Sequence, residues 1–320
     1  MSRPDVSIVV ATYNRPALLR ETLVSCLSQR NALGLSLELV VIDNHPSLNG
    51  EPVVAELAAT APFPVRYAPE GTRNMSTLRN RGFAEAKGRF VAFIDDDEVA
   101  DPDWLDELVG AARARDAEIA VGPRLAIFEA GHPPAYDPQG AQFARDLHLP
   151  DHALIDLVAP SGKPRYGLGT GNSLFDMDLC FPNGEAPMRV EFGDAGGEDA
   201  ELFVRLHREG RRIVWAARAR VTETVPVHRT EVAYRLIRTR RETQHYVSIY
   251  IDGARHKRLA WAILTAKGLV QVVAGAVLAT LLCEFGSTTR ARGRLTMAHG
   301  LGKLSWKNPV GYIQEPSNPA

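Results

Sequence analysis

An α/β fold, with a mostly parallel sheet flanked by helices, is what the sequence predicts, on three observations. Short apolar runs alternate with segments of helical periodicity from Val6 to Trp215, the pattern of strands covered by helices. Polar residues gather just beyond the ends of those runs, where open α/β sheets hold their ligands. One such gathering, Asp95-Asp96-Asp97-Glu98, sets four consecutive carboxylates directly after the apolar run 90–94.

The elements follow in order. Residues 6–10 form a continuous apolar strand, and Asn14 and Pro16 then start a helix with Leu19, Leu23, Cys26 and Leu27 on one face. A second strand, 37–42, ends in Asp43-Asn44. A helix over 53–59 leads to a strand at 65–67, and a helix over 76–87, closed by Gly88, leads to the strand 90–94. Asp101-Pro102 opens the next helix, with Trp104, Leu105 and Leu108 aligned, and 119–121 is strand. Residues 131–165 lose periodicity, which marks a lid or binding loop rather than an ordinary connection. Tyr166-Gly167-Leu168-Gly169-Thr170-Gly171-Asn172 is a glycine-rich turn that lets backbone approach a ligand closely, followed by a short strand over 173–175. Gly196-Gly197-Glu198-Asp199 introduces a helix with Leu202, Phe203 and Leu206 in one stripe, ended by Gly210, and strands follow at 213–215 and 219–221.

Four adjacent acids call for a cation. If strand geometry persists past Ile94, Asp95 and Asp97 face one side, and Asp96 and Glu98 the other. Either pair offers hard oxygen ligands that suit Mg2+ or Mn2+ and leave positions for phosphate oxygens. The competing reading is a solvated acidic turn that caps the next helix, and Glu198-Asp199 likewise suits a helix N-terminus without any chemistry.

Composition narrows the class. A chain of 320 residues suffices for one large domain with an appendage. A formal net charge of −1 argues against a nucleic-acid partner, since phosphate-backbone binders carry a basic excess. Cys26, Cys180 and Cys283 are few, odd in number and far apart. That fits neither a disulfide framework nor a zinc site, and points to a reducing compartment. No charged region leads into a long apolar one at residues 1–11, so the catalytic part is expected to stay inside the cell.

Several segments, in order, resemble the family 2 inverting glycosyltransferases of the GT-A fold. Ser7-Ile8-Val9-Val10-Ala11-Thr12-Tyr13-Asn14-Arg15-Pro16 looks like their first strand and nucleotide-binding turn, and Val40-Val41-Ile42-Asp43-Asn44 like their second strand. The stretch from Arg79 to Phe90 is similar to the lead-in to their DxD motif, here Asp95-Asp96-Asp97, and Gly197-Glu198-Asp199 to their downstream ED signature. With Phe203, and Val225-Pro226 before a basic helix, the chain further resembles bacterial exopolysaccharide glucosyltransferases of the succinoglycan type.

The resemblance implies a UDP-sugar donor, with glucose as the sugar that the resembled subgroup transfers, and a set of roles. Asp199 is the expected general base, with Glu198 orienting the acceptor or Asp199. Asp97 is the chief metal ligand, Asp95 meets the ribose or the metal through water, and Asp96 with Glu98 is the alternative pair. The metal, Mn2+ or Mg2+, acts on the departing diphosphate. Asp43 accepts a hydrogen bond from the base, Thr12, Tyr13 and Asn14 line the nucleotide pocket, and Arg79 neutralises the diphosphate. Where many such enzymes carry a histidine this chain has Thr222, and His228, six residues on, is the candidate third ligand. Trp104, Tyr166 and Trp215 are expected in the core before any sugar-stacking role. A nucleotidyltransferase would show a glycine-rich, basic triphosphate loop where Thr12-Tyr13-Asn14-Arg15-Pro16 stands. A non-catalytic nucleotide-sugar-binding assembly subunit would not need the intact Glu198-Asp199 pair.

The expected organisation is a catalytic domain over 1–228, with a nucleotide-sugar half at 1–122 and an acceptor half at 123–228, then a helical extension over 229–320. Within it a helix over 230–251 carries Arg235, Arg238, Arg240 and Arg241. Residues 259–285 are apolar on nearly every side, with Lys267 and Gln271 as interruptions and basic flanks at 255–258 and at Arg290, Arg292 and Arg294. Charge on both flanks favours a segment lying on or dipping into the cytoplasmic face of the inner membrane over one that spans it; a buried core helix or a homodimer helix is the alternative. The resemblance implies an acceptor glycan on a polyprenyl diphosphate carrier in that membrane.

Overall fold

The structure, a computed structural model, describes residues 3–194, 196–280 and 286–311. The chain begins β1 (Val6–Thr12), α1 (Pro16–Leu27), β2 (Leu37–Asp43), α2 (Glu51–Ala58), β3 (Val65–Pro69), α3 (Met75–Glu85) and β4 (Phe90–Asp95). These four strands run parallel in the order β3-β2-β1-β4. Every residue of β2 is buried, as expected of a strand covered on both faces. Register sets Thr12 beside Asp43, and Ala11 beside Asp95. The polar ends of β1, β2 and β4 therefore share one rim of the sheet.

Next come β5 (Glu98–Ala100), α4 (Trp104–Arg115), β6 (Ile119–Val121), β7 (Arg124–Phe128), β8 (Ala153–Leu154) and β9 (Ser173–Asp176). The sheet is mixed, with parallel pairings the more numerous. β9 lies antiparallel between β4 and β6, because the chain reaches it through residues 129–172 rather than through a helical crossover, and so returns from the rim where β4 ends. That connection is the aperiodic stretch, which holds only the two-residue β8. The remaining elements are α5 (Met177–Cys180), α6 (Glu198–Arg208), β10 (Ile213–Trp215), β11 (Val221–Val225) and α7 (Val227–Thr230). β10 extends the main sheet beside β6, while β11 joins β5 and β7 in a second, three-stranded sheet. The strand expected over 219–221 thus begins where it was expected to end.

Two apolar layers cover the main sheet. One packs Leu19 and Leu23 of α1 and Trp104, Leu105 and Leu108 of α4 against Ile8 and Val10. The other gathers Phe83, Phe93, Phe175, Phe203 and Trp215, with Phe83 and Phe93 centroids 4.6 Å apart. Trp104 and Trp215 are core residues, so neither is placed to stack on a sugar. The Trp104 indole donates to Asn172 Oδ1 at 2.8 Å, and the Asn172 amide donates to the carbonyls of Pro123 and Ala219. Gly88 does not close α3, whose C-cap is Ala86. A Cβ at Gly88 would lie 2.6 Å from the Ser7 nitrogen, so close approach to β1 is what requires glycine there.

The extension is helical, as expected: α8 (Val232–Gly253), α9 (Lys257–Thr280) and α10 (Ser287–Leu304). The boundary expected at 228/229 falls inside α7, and the main sheet runs unbroken across the one expected at 122/123. α10 packs between α8 and α9, and glycines bring α9 and α10 together: a Cβ at Gly275 would lie 2.6 Å from the Gly293 carbonyl, and one at Gly300 2.6 Å from the Gly268 carbonyl. Cys283 lies outside the described residues, as does the end of the apolar run 259–285.

Candidate active site

The acidic run does not continue as a strand. β4 ends at Asp95, the chain turns through Asp96 and Asp97, and β5 begins at Glu98. The alternation expected of the four acids therefore fails, and each carboxylate has its own surroundings. Asp96 is buried and ties two loops together: its Oδ2 accepts from Thr12 Oγ1 at 2.8 Å and from the Tyr13 amide at 3.2 Å, and its Oδ1 faces Arg15 Nη1 at 3.2 Å. Burial pushes its carboxyl up to about 7, against the pull of Arg15. Glu98 has no exposed surface; Oε2 accepts the Asp95 amide, and Oε1 is buried without a hydrogen-bond partner. Burial and then the Asp95 charge raise it well above the ordinary carboxylate range. Asp96 and Glu98, the alternative pair, thus sit in different surroundings.

Asp97 shares Arg15 with Asp96. Its Oδ2 meets Arg15 Nη1 at 2.9 Å and Arg229 Nη1 at 3.3 Å. Arg229 also reaches Glu223 Oε1 at 2.8 Å, and Glu223 Oε2 meets Arg124 at 3.0 Å.

A third grouping centres on Arg79. α3 is fixed by Asn74, whose side chain accepts the Thr77 amide. From it the buried Arg79 reaches Glu198 Oε1 at 2.5 Å, Asp199 Oδ1 at 3.2 Å and Asp95 Oδ1 at 3.6 Å. Arg79 is not a solvated surface residue. It is the cation that joins the end of β4 to the start of α6. Gly197, at φ 90°, lets the chain turn into α6, so Glu198 and Asp199 fall in its first turn. The two acids differ. Glu198 is 5% exposed, and burial followed by the Asp199 charge pushes it up to about 7 despite Arg79. Asp199 is 21% exposed and accepts Thr170 Oγ1 at 3.0 Å.

The glycine-rich turn packs on these carboxylates. A Cβ at Gly171 would lie 2.6 Å from Asp95 Oδ2 and 2.8 Å from Glu98 Oε1. Arg145 holds the turn by donating to the carbonyls of Gly169, Gly171, Asn172 and Gly122, and burial lowers its guanidinium to about 10. Nothing in the sequence marks Arg145, which lies in the aperiodic stretch.

At the far end of the rim, Asp43 is fully buried. Gly50 N and Tyr67 OH donate to its Oδ2, at 3.0 and 2.9 Å, and His45 N to its Oδ1 at 2.9 Å. The carboxylate expected to meet the base holds the turn after β2. Tyr13 is 42% exposed and stands edge-on to His45, with centroids 4.9 Å apart. His45 has no sequence signal of its own. Asn14 adopts φ 55° and accepts the Asn49 side-chain amide.

His228 sits in α7 next to Arg229, and its Nε2 is buried without a hydrogen-bond partner. Asp95, Asp97 and His228 do not form a ready-made cluster. Among the described residues, the group of ligating atoms that already lies within 4.8 Å is Glu107, Asp151 and His152, and there Arg218 neutralises both acids at 3.0 Å. The donor chemistry of Asp95, Asp97 and the unpartnered imidazole nitrogen still fits a divalent cation of the Mn2+ or Mg2+ kind.

The fold resembles that of solved structures determined with bound nucleotides. The mannosyltransferase PcManGT from Pyrobaculum calidifontis, in complex with GDP-Man and Mn2+, superposes with a TM-score of 0.58 at 19% identity, over 96% of this chain and 88% of that one. S. aureus TarS 1–349 in complex with UDP superposes with a TM-score of 0.54 at 15% identity, over 95% and 91%. In sequence, the chain is 31% identical over 261 residues to the succinoglycan biosynthesis protein ExoM of Rhizobium meliloti (strain 1021), covering 82% of this chain and 80% of that protein. Residues 7–157, which carry the rim, the acidic turn and Arg79, match the family described as Glycosyl transferase family 2. The chain belongs to that family and is a glycosyltransferase.

Proposed function

We propose that the chain transfers a hexose, glucose being the first choice, from a UDP-sugar to a hydroxyl of a lipid-linked glycan in exopolysaccharide synthesis, with inversion. The observation that carries this reading is the Arg79 cluster, which sets a partly exposed Asp199 beside Asp95 at the rim where β4 ends. The acceptor oxygen attacks the anomeric carbon as its proton passes to Asp199. The bond from that carbon to the diphosphate oxygen breaks, and its electron pair leaves with the nucleotide. Glu198 is unsuited to be the base, because it is closed to solvent and its Oε1 is taken up by Arg79 at 2.5 Å; it orients Arg79 and Asp199. A divalent cation held by Asp97, Asp95 and His228 would supply Lewis-acid neutralisation of the diphosphate. Thr12, Tyr13, Asn14 and Asp43 build the nucleoside end, with Asp43 and Asp96 fixing the two turns that carry Tyr13 and His45. ExoM supports the exopolysaccharide assignment. Incubating the purified chain with UDP-glucose, UDP-N-acetylglucosamine and GDP-mannose, with and without Mn2+, is expected to release UDP from UDP-glucose fastest. Release from GDP-mannose alone would remove the uridine assignment, and none from any donor would remove the reading.

The acceptor's lipid fits the extension. α9 buries only the stripe Ala260, Leu264, Gly268 and Gly275, leaving Leu259, Trp261, Leu269, Val270 and Val273 each at least half exposed. Arg255, Lys257 and Arg258 stand at its start, and Arg290, Arg292 and Arg294 follow in the first turns of α10. A helix with this much open apolar surface and basic flanks suits the cytoplasmic face of an anionic inner membrane. The chain is expected to float with vesicles containing phosphatidylglycerol, and the double variant Val270→Glu/Val273→Glu to lose roughly tenfold or more in partitioning. A native chain that stays with the soluble fraction, and elutes as a dimer that the double variant breaks, would assign this face to a second copy.

A further inference from the structure

Two cations share one carboxylate oxygen in the acidic turn. Arg15, from the turn after β1, and Arg229, from α7, both point Nη1 at Asp97 Oδ2, at 2.9 and 3.3 Å. The Asp97 side chain is 9% exposed, so solvent and salt screen this contact little. A divalent cation and two guanidiniums cannot all be held by that oxygen without strong mutual repulsion.

We propose that Arg15 and Arg229 are exchangeable counter-ions: they neutralise Asp97 before ligands arrive, and shift to the donor's diphosphate when a divalent cation takes the carboxylate. This rests on reading the rim as a nucleotide-sugar and metal site. Both residues reach the acidic turn from segments that border it. Arg15 follows Tyr13 and Asn14 on the nucleoside side, and its side chain is 27% exposed. Arg229 neighbours His228, whose buried Nε2 has no hydrogen-bond partner. A diphosphate offers a guanidinium several acceptor oxygens in bidentate geometry, replacing the carboxylate it gives up. Glu223 keeps Arg124 as a partner when Arg229 moves, and Asp96 keeps Thr12 and the Tyr13 amide when Arg15 moves. The exchange leaves no buried acid wholly uncompensated. It also makes metal and nucleotide binding mutually reinforcing, since each ligand removes an obstacle to the other.

The prediction is an opposition of sign. Binding of Mn2+ alone is measured on the full chain by the loss of the free-ion paramagnetic resonance signal, and binding of UDP at saturating Mn2+ by calorimetry. Arg15→Gln and Arg229→Gln are each expected to bind Mn2+ alone about fivefold or more tighter than the native chain, and UDP with Mn2+ weaker by a similar factor. Arg15→Lys, which keeps the charge, is expected to bind Mn2+ as the native chain does. Thermal melts of all three variants show whether the fold is retained. If well-folded glutamine variants bind Mn2+ equally or more weakly than the native chain, the two arginines are fixed parts of the site and the exchange is wrong. A native chain that binds neither Mn2+ nor UDP would overturn the site's reading itself, a different result from unchanged binding in the variants.

Discussion

Asp199→Asn is expected to lower the transfer rate by about 10²–10⁴-fold, the usual contribution of a positioned general base, while the donor's dissociation constant stays near the native value. The reason lies in the contrast between two neighbouring acids. Glu198 is nearly closed to solvent and bonded to Arg79, whereas Asp199 keeps an accessible edge and accepts Thr170. The amide of asparagine preserves shape and can still meet Arg79 and Thr170 through its oxygen, but it cannot take a proton. Single-turnover kinetics with saturating donor isolates the chemical step from product release. Glu198→Gln keeps an oxygen for Arg79 and should cost much less in that step. Should Asp199→Asn turn over at the native rate while Glu198→Gln is dead, the roles are reversed.

The same contrast shows what the sequence makes legible and what it leaves hidden. The strand–helix alternation through β4, and the strands at 119–121 and 213–215, were readable because each is a compact apolar run with clear punctuation. The antiparallel entry of β9 was not, since strand direction depends on where a long aperiodic connection returns, and residues 129–172 carry no local signal of it. The acidic run was visible as chemistry but misread as geometry. Strand alternation assumes that the ladder continues, and here it stops at Asp95 because Asp96 turns inward to bond Thr12 and the Tyr13 amide. Arg79 and Arg145 show a further limit. Periodicity makes an arginine on a helix or in a loop a surface residue by default, yet Arg79 is buried and Arg145 half-buried because distant segments supply their partners: α6 for Arg79, and the glycine-rich turn for Arg145. Long-range ion pairs of this kind span more than a hundred residues of sequence for Arg79 and Glu198, and no local pattern encodes them.

Arg79→Met is expected to destabilise the fold by about 3–5 kcal/mol, the cost typical of removing one partner from a buried ion pair. Methionine fills much of the side-chain volume, so the loss measures charge rather than a cavity. Without the guanidinium, Asp95, Glu198 and Asp199 face one another, and Glu198 loses the one charge that lowers its carboxyl. Glu198 is already raised in the folded chain, and removing Arg79 raises it further. A group raised in this way contributes stability that is present at low pH and lost as pH climbs through the folded value. The deficit of the variant should therefore be largest above pH 7 and shrink on acidification toward the ordinary carboxylate range. Urea denaturation at several pH values measures this directly, and adding Glu198→Gln to Arg79→Met should restore part of the stability at pH 8 by removing one of the unpaired acids. A loss under 1 kcal/mol that does not change with pH would mean that Arg79 is not the cation around which Asp95, Glu198 and Asp199 are arranged.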